Sequence, residues 1–397
     1  MIVRHPPPVP SPSRGEGQES ELEKISPPPL RGRVRVRGML KSVAALIVLT
    51  LLFFTPLTAR ADWKADWDAT IAAAKKEGAL VLSVPSGRAW RDALAKFQEA
   101  YPDIKTEMTP VASRDFWPRI VKEHEAGQYL WDLRIGGIDA PSYDMKNKGE
   151  LAPVKPLFLL PEITDEKNWG AGFDGLFLDK EKKFFPAFVA YESQSVYYNK
   201  AKLAGAAPPT MQTLGQPQWA GKISMADPRG GAALNTLTVM NKLFGDEPIK
   251  QLMAQKPVIT GEPRQMMDWL ASGRYPIAFG LPSATFVDYA ARGAALDDFV
   301  KVQGLHIWSP GVGAIEYMVK APHPNASKVF VNWLLSKDTQ TVLMQAVKLN
   351  SQRVDVPKGD PAEVVDVKAM GQYTCTQAED LEPYEQHVVA LLRNYLQ

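Results

Sequence analysis

The chain has 397 residues, of which 45% are hydrophobic and 23% are charged, so it holds enough apolar sequence for about two domains. Residues 1–61 carry 9 of the 46 basic and 4 of the 44 acidic side chains, which leaves residues 62–397 with a net charge of −3. A body this close to neutrality argues against nucleic-acid binding through a broad basic surface. Cys375 is the only cysteine, which excludes an internal disulfide and a metal site built from several thiolates.

The N-terminal part is predicted to be a targeting segment. Residues 1–38 contain eight prolines and no apolar period, and they are interpreted as a disordered or mis-assigned upstream extension. Residues 39–61 combine a basic start, a twelve-residue stretch in which only Thr50 is polar, and the triplet Ala59-Arg60-Ala61, as in a secretory signal peptide. The apolar stretch is shorter than the roughly 20 residues that a spanning helix needs. The mature protein is expected to begin near Asp62 and to be periplasmic and soluble.

The first helix is predicted from a four-residue spacing of large apolar side chains. Trp63, Trp67 and Ile71 would share one face, and Gly78 would end the helix. A weaker signal of the same kind predicts a last helix, and it is carried by Val388, Leu391, Leu392 and Tyr395.

Between these helices, strand and helix patterns alternate. Ala79–Val84 is a short apolar run typical of a buried strand, and a helix with Trp90 on its apolar face follows. The alternation restarts where the run Lys222–Ala226 enters Asp227-Pro228-Arg229-Gly230-Gly231, and the helix that begins there reaches Phe244. The pattern predicts parallel sheets covered on both faces, with ligands at the carboxyl ends of the strands.

Five segments spread over residues 62–355 resemble periplasmic solute-binding proteins of ABC importers, in the branch that includes ferric-ion-binding proteins. The matching segments are Leu80-Val81-Leu82-Ser83 with Ser86-Gly87, Val196–Lys200, Trp219–Ile223 with Asp227-Pro228, Ala271–Ala278, and Lys320–Ala326 leading to Asn332–Ser336. The order and the spacing of these segments, behind a signal peptide, make the resemblance fairly specific.

The resemblance implies an α/β, two-lobed periplasmic-binding-protein fold of type II-like, Venus-flytrap form, with two crossover hinge strands and the ligand between the lobes. The first lobe is expected at 62–193 plus 309–397, and the second at 194–308. The run Ala187–Asn199 is longer than an ordinary strand and would be the first crossover, and the stretch near Leu305–Glu316 would be the second. The implied function is capture of a small ligand and its delivery to the membrane subunits of an ABC permease by a monomeric binding protein that is not an enzyme.

Two loops between a strand and a helix are candidate anion sites. In Ser86-Gly87-Arg88 the free backbone N–H groups, the hydroxyl and the guanidinium favour an anion. Arg229-Gly230-Gly231, with Asn235 one turn later, repeats the construction in the other lobe. Together the two loops would clamp a carboxylate, phosphate or phosphonate. The competing interpretation is a capping serine and solvated arginines.

The two crossovers supply further candidates. Tyr191 and Glu192 lie on the first, and Glu316 on the second could recognise an amine or a metal, or could form an ion pair within the hinge. Ser283 and Thr285 open a helix after a strand, where they could cap the helix or donate to ligand.

The segment Pro282–Tyr289 departs from the iron-binding branch. The resemblance implies adjacent metal-ligating tyrosines here, but the only tyrosine of the segment is Tyr289. An organic anion is therefore the first expectation for the ligand, a polyamine the second and ferric ion the third, with no resident metal or cofactor.

Two other functions stay open. The chain could be an exported hydrolase or transferase on a similar scaffold, or the ligand subunit of a sensory system. No hydrolase elbow, zinc-protease helix motif or P-loop occurs, and no catalytic residue is predicted.

Overall fold

Two five-stranded sheets organise the chain. The structure is a computed structural model that describes residues 63–293 and 295–396. The predicted signal peptide at 39–61 and the upstream extension at 1–38 lie outside the described residues. Among the described helices, none combines the length and the apolar character needed to span a bilayer.

The described residues form thirteen α-helices. They are α1 (Trp63–Glu77), α2 (Arg88–Leu94), α3 (Lys96–Ala100), α4 (Ser113–Glu125), α5 (Ala140–Asn147), α6 (Pro161–Thr164), α7 (Gly231–Phe244), α8 (Glu247–Ala254), α9 (Pro263–Ser272), α10 (Ala284–Ala290), α11 (Pro324–Leu335), α12 (Lys337–Val347) and α13 (Glu382–Leu392). Short 3-10 helices lie at Lys155–Leu157, Glu166–Asn168, Asp174–Leu176, Lys200–Lys202, Pro217–Trp219, Pro361–Glu363, Val367–Gln372 and Glu379–Leu381.

The same residues form thirteen strands. They are β1 (Ala79–Val84), β2 (Lys105–Pro110), β3 (Leu133–Gly136), β4 (Leu151–Ala152), β5 (Tyr191–Glu192), β6 (Val196–Asn199), β7 (Ile223–Ala226), β8 (Val258–Thr260), β9 (Ile277–Phe279), β10 (Phe299–Lys301), β11 (Ile307–Ser309), β12 (Ala314–Met318) and β13 (Thr374–Cys375).

Both large sheets are mixed rather than purely parallel. In the first, with order β2-β1-β3-β12-β4, β1 runs parallel to β2 and β3, and β12 runs antiparallel to β3. In the second, with order β10-β6-β9-β7-β8, β7 runs parallel to β8 and β9, and β6 runs antiparallel to β9. The parallel strands follow from strand–helix–strand units. β6 and β12 run the other way because each of them follows a segment that has just crossed between the sheets.

Each sheet has its own hydrophobic core, and each core defines a lobe. Leu80, Leu82 and Ile135 of the first sheet are buried with Phe97 and Phe330 from its covering helices. The second core is built the same way around β7, β9 and α7, and its largest members include Trp219, Met225, Leu237, Met240 and Phe279. Helices therefore bury both sheets, as the apolar runs predict.

The first helix forms where the sequence predicts it, but its buried face is rotated. Trp63 is 39% exposed, while Thr70 and Ala74 are buried and Trp67 and Ile71 are half-buried against the first core. The buried face is therefore formed by residues later in the helix, from Trp67 to Ala74, and Trp63 is not part of it. Gly78 ends the helix at a φ of 69°, as predicted.

The first crossover is not one continuous strand. Val189 and Tyr191 pack in the first core, β5 covers two residues only, and Val196 of β6 is already in the second core. The thirteen-residue run at 187–199 therefore contains two short strands, β5 and β6, separated by residues 193–195, which belong to neither strand.

A small third sheet joins the lobes, in the order β13-β11-β5. The second crossover, β11, leaves the second core after Ile307, and Trp308 is buried in a separate apolar cluster against the first sheet. β11 also pairs with the first crossover through β5. β13 comes from the C-terminal tail and pairs with β11 in parallel. After β13 the chain reaches the second core through Leu381. The tail thus adds a third crossing to the two that the resemblance implies.

The last helix packs on the second lobe. Val388 and Leu392 of α13 are buried in the second core, beside α7. The predicted boundary assigns the whole of 309–397 to the first lobe, so for α13 the packing differs from that assignment. The signals that predict the helix are apolar spacings, and they do not say which core the helix covers.

Candidate functional site

A cavity of about 580 Å³ opens in the first lobe at the carboxyl ends of the three parallel strands β1, β2 and β3. Its volume is in the range of small-molecule sites, which is about 300–1,000 Å³. Its lining residues are Val84, Pro85, Ser86, Val111, Ala112, Ser113, Arg134, Ile135, Gly136, Gly137, Ile138, Asp139, Gly311, Val312 and Gln377. We call it the first-lobe cavity.

The first-lobe cavity contains one buried cation, Arg134, which lies within β3. Its side chain is 4% exposed, and its Nη1 donates to the carbonyl oxygen of Gly137 at 3.1 Å and to the Glu316 carboxylate. The guanidinium also lies 5.5 Å from the ring centre of Trp117 on α4. Its Nε has no hydrogen-bond partner among the described residues. This buried donor is therefore left unsatisfied by the described residues.

Gly136 makes room for the guanidinium. A Cβ at this position would lie 2.6 Å from Cζ of Arg134 and 2.7 Å from its Nη2. Any other residue would push the side chain of Arg134 away from the strand. The Gly-Gly pair after β3 is thus part of the construction of the site.

Glu316 on β12 balances the buried charge. The side chain is completely buried, and burial raises the pKa of its carboxyl group. Of the two roles left open by the sequence, the geometry shows the hinge-strand ion pair, because the carboxylate contacts Arg134 rather than the cavity. A direct ligand-binding role for Glu316 stays a prediction without a contact to support it.

The start of α4 contributes a second free polar group. Ser113 is the first residue of this thirteen-residue helix, and its Oγ is buried without a hydrogen-bond partner in the described part of the chain. The preceding Ala112 provides no side-chain cap, and both residues line the cavity. The positive end of a helix dipole and a free hydroxyl therefore meet here.

Of the predicted residues of the first loop, Ser86 lines the first-lobe cavity, whereas Arg88, on the other side of Gly87, does not. Gly87 precedes α2 with a φ of 117°, where side chains other than glycine are strained. The side chain of Arg88 is 90% exposed and pairs with Asp92 at 3.1 Å, one helical turn later.

The second predicted loop has a similar arrangement at the start of α7. Arg229 is 74% exposed. Its guanidinium donates hydrogen bonds to both carboxylate oxygens of Asp227, from Nε to Oδ1 at 2.8 Å and from Nη2 to Oδ2 at 2.6 Å. These bonds lower the pKa of the Asp227 carboxyl. Gly230 is extended, and Gly231 has a φ of 63°.

The two loops are not brought into contact. Within residues 63–293 and 295–396, no hydrogen bond or ion pair joins 86–88 to 229–231. Asn235 is half-buried on α7. The clamp remains a prediction, and each arginine is at present paired with its own carboxylate.

The remaining predicted residues form contacts beside the hinge. Glu192 on β5 pairs with Lys301 on β10 at 2.7 Å. Ser283 hydrogen-bonds the buried carboxylate of Glu363, which comes from the C-terminal tail. Thr285 is buried in the second lobe, within α10. Their ligand-binding roles also stay predictions.

Tyr191 lies at the border between the hinge and the first-lobe cavity. It is half-buried against the first core, and a Cβ at Gly311 would lie 2.9 Å from its ring. Gly311 lines the cavity, so Tyr191 supports that wall from behind.

Sequence reasoning missed three cavity residues, Arg134, Ser113 and Gln377. A sequence signal existed for Arg134, because a charged residue inside a buried strand before Gly-Gly is uncommon unless it is paired. Ser113 starts a helix after a strand, the pattern that singles out Ser86. No local signal marks Gln377, which reaches the cavity from the tail.

The part of the chain that the structure describes contains neither a metal-binding cluster nor an activated thiol. Among the described residues, no three His, Cys, Asp or Glu side chains come together where they could hold a metal ion. Burial raises the pKa of the Cys375 thiol to about 12, so the thiol stays protonated at neutral pH.

Comparison with known proteins then decides the family. A family model for bacterial extracellular solute-binding proteins matches residues 92–370. The chain belongs to this family. The predicted relationship is thereby confirmed, and its function is that of a solute-binding protein. A search among curated proteins found no match.

Solved structures of solute-binding proteins share the fold. Apo FutA2 from Synechocystis PCC6803 is 14% identical over 80% of this chain and 98% of that chain, with a TM-score of 0.58. Iron-bound HitA from Pseudomonas aeruginosa is 17% identical over 78% and 99%, with a TM-score of 0.51. Ferric iron-binding protein A from Mannheimia haemolytica, in an open conformation, is 12% identical over 80% and 98%, with a TM-score of 0.59. The predicted two-lobed fold is confirmed, and the relatives of this solute-binding protein are binding proteins rather than enzymes.

Proposed function

We propose that this exported binding protein captures a small organic anion in the first-lobe cavity and presents it to an ABC permease in the periplasm. The observation that carries the proposal is Arg134. It is a buried cation that lines the cavity and whose Nε donor is unsatisfied by the described residues. Ser113 adds an unpartnered hydroxyl at a helix N-terminus, and Ser86 adds a hydroxyl on the loop after the adjacent strand β1. Together these groups suit a carboxylate or a phosphate.

Binding would be coupled to closure of the lobes. A solute held by the first lobe gains further contacts only when the second lobe reaches it, so the ligand shifts the equilibrium toward the closed state. Arg229 is the cation of the second lobe that we expect to join. It would exchange its bond to Asp227 for one to the ligand.

Other ligands are less well supported. Several structural relatives are described as ferric-ion-binding, which makes ferric ion the alternative ligand. However, the described residues offer no cluster of acidic, histidine or cysteine ligands. A polyamine would have to bind beside the guanidinium of Arg134.

A thermal-shift screen of the mature chain tests the proposal. The probes are citrate, succinate, inorganic phosphate, spermidine and ferric chloride. A probe present at 100 times its Kd should add about 2.7 kcal/mol to the free energy of unfolding. We expect stabilisation by at least one organic anion. Stabilisation by spermidine or ferric chloride alone would contradict the proposal, as would turnover of a bound probe detected by mass spectrometry.

The two exposed arginines give a second prediction. Arg88→Ala and Arg229→Ala should each weaken binding of the anion that scores in the screen by about tenfold, with little change in melting temperature, because both side chains are exposed. Isothermal titration calorimetry measures the affinity. Asp227→Asn is the matched variant, since it releases Arg229 and should strengthen binding. Unchanged affinity in all three variants would refute the clamp formed by the two loops. The cavity with Arg134 would then be the only proposed binding site.

A further inference from the structure

The C-terminal segment runs across both lobes, and residues 374–392 are called the C-terminal strap. Cys375 of β13 is buried with the first lobe, whereas Leu381 and Val388 are buried in the second core. The strap pairs with the second crossover through β13. It is therefore a third connection between the lobes.

Gln377 of the strap joins two walls of the first-lobe cavity. Its Oε1 accepts from the backbone N–H of Ile138 at 2.8 Å, and its Nε2 donates to the carbonyl oxygen of Gly311 at 2.9 Å. Ile138 and Gly311 lie on the loops after β3 and β11, and both line the cavity. A single side chain thus uses both ends of its amide to hold two loops together.

The two loops approach as closely as glycine permits. A Cβ on Gly137 would lie 2.8 Å from the carbonyl oxygen of Gly311. Tyr143 on α5 donates its hydroxyl to the carbonyl oxygen of Gln377 at 2.6 Å and so fixes the backbone that carries the amide. The backbone of Gln377 is therefore attached to the first lobe, while the strap that carries it continues to the second core.

The attachment of the strap passes from the first lobe to the second between Glu379 and Asp380. Glu379 accepts from Nζ of Lys146 at 2.6 Å and from the backbone N–H of Lys180 at 2.9 Å, both in the first lobe. Asp380 pairs with Lys242 on α7, in the second lobe, at 2.6 Å. α13 then covers α7. Neighbouring residues of the strap thus hold opposite lobes.

We propose that Gln377 is a positioning residue for the first-lobe cavity and that the docking of α13 on the second lobe controls it. Displacement of α13 pulls the strap, and Gln377 then releases the loops at Ile138 and Gly311. The shape of the cavity depends in this way on the second lobe. The consequence for ligand affinity rests on the proposed function, but the mechanical link does not.

Hydrogen exchange of the unliganded chain tests the role of Gln377. In Gln377→Ala the amides of Ile138 and Gly313 should both exchange at least tenfold faster. In Gln377→Glu the acceptor for Ile138 is kept while the donor to Gly311 is lost, so only Gly313, in the turn after Gly311, should exchange faster. Lys368→Ala, an exposed position in the same tail, is the control. Equal exchange at Ile138 in wild type and Gln377→Ala would overturn the proposal, as would identical profiles of the two Gln377 variants.

A second pair of variants tests the control by α13. Val388→Ala and Leu392→Ala remove buried contacts with the second core and should accelerate exchange at Ile138, in the first lobe, at least threefold. Val342→Ala, a truncation at a 47% exposed site on α12, is the control. Faster exchange in α13 with unchanged exchange at Ile138 would show that displacement of α13 does not reach Gln377 through the strap. That result would overturn this half of the proposal.

Citrate titration connects the link to function. If citrate binds the wild type, Gln377→Ala should weaken its binding by about tenfold, and unchanged affinity would contradict a positioning role. If citrate does not bind, the test of function passes to the other anions of the screen, while the exchange profiles still decide whether the strap holds the loops.

Discussion

Glu316→Gln is expected to lower the free energy of unfolding by about 3–5 kcal/mol, because it leaves the buried guanidinium of Arg134 without a counter-charge. Burial raises the pKa of Glu316 even though Arg134 lies beside it, which indicates that desolvation outweighs the attraction between the two charges. Burial of the ion pair therefore has an unfavourable desolvation free energy, and removal of one partner is more unfavourable still because it leaves a single buried charge. Urea unfolding followed by circular dichroism measures the loss.

A double variant separates stability from binding. Arg134→Met with Glu316→Leu removes both charges at nearly conserved volume, so the free energy of unfolding should return to within about 2 kcal/mol of the wild type or exceed it. Anion binding should nevertheless be lost, because the buried positive charge of the cavity is gone. A folded double variant that binds its anion with wild-type affinity would show that Arg134 has no part in the site.

Gly359→Ala should be the most damaging single-methyl change in the tail, at about 2–3 kcal/mol. A Cβ there would overlap the carbonyl oxygens of Met344 and Leu349, at the end of α12, and backbone atoms cannot turn aside as a flexible side chain does. The N–H of Gly359 also donates to the carbonyl oxygen of Leu349 at 3.1 Å. Thermal unfolding should show a clear fall in Tm.

Gly371→Ala is the matched control for that prediction. Gly371 lies in the same tail, in a 3-10 helix, and no neighbouring atom lies within 4 Å of the position that an alanine Cβ would take. The substitution should leave Tm unchanged or raise it slightly, since alanine restricts the unfolded chain. Equal losses in both variants would mean that the contacts at Gly359 are not the cause.

The elements that the sequence predicts best are those with a strong local pattern and a glycine boundary. Ala79–Val84 is a strand over its whole predicted length because a continuous apolar run suits a central buried strand. α7 spans Gly231–Phe244 with Gly245 as its cap, as predicted, because the glycine takes a φ of 74° that other residues avoid. In α1 the pattern is less informative, because Trp63 has the spacing of a buried residue but is exposed.

The candidate site is only partly predictable, because its main contacts are far apart in the chain. Ser86 follows from the strand–loop–helix pattern alone. Arg134 needs Glu316, which lies 182 positions away, before its burial makes physical sense. Gln377 reaches Ile138 from 239 positions away. No periodicity in the tail indicates its route, because the direction of a chain after its last strand is decided by packing.

The three-stranded ribbon of β13, β11 and β5 also limits how the lobes can move. Strands in a sheet lie roughly 4.8 Å apart, so the ribbon is about 10 Å wide. Folding across this width needs only small backbone rotations where the strands leave the sheet, whereas twisting or sliding one lobe on the other would stretch cross-strand N–H···O bonds. The ribbon therefore favours rotation of the lobes about a single axis. Each closure would then bring the facing surfaces of the two lobes into the same alignment.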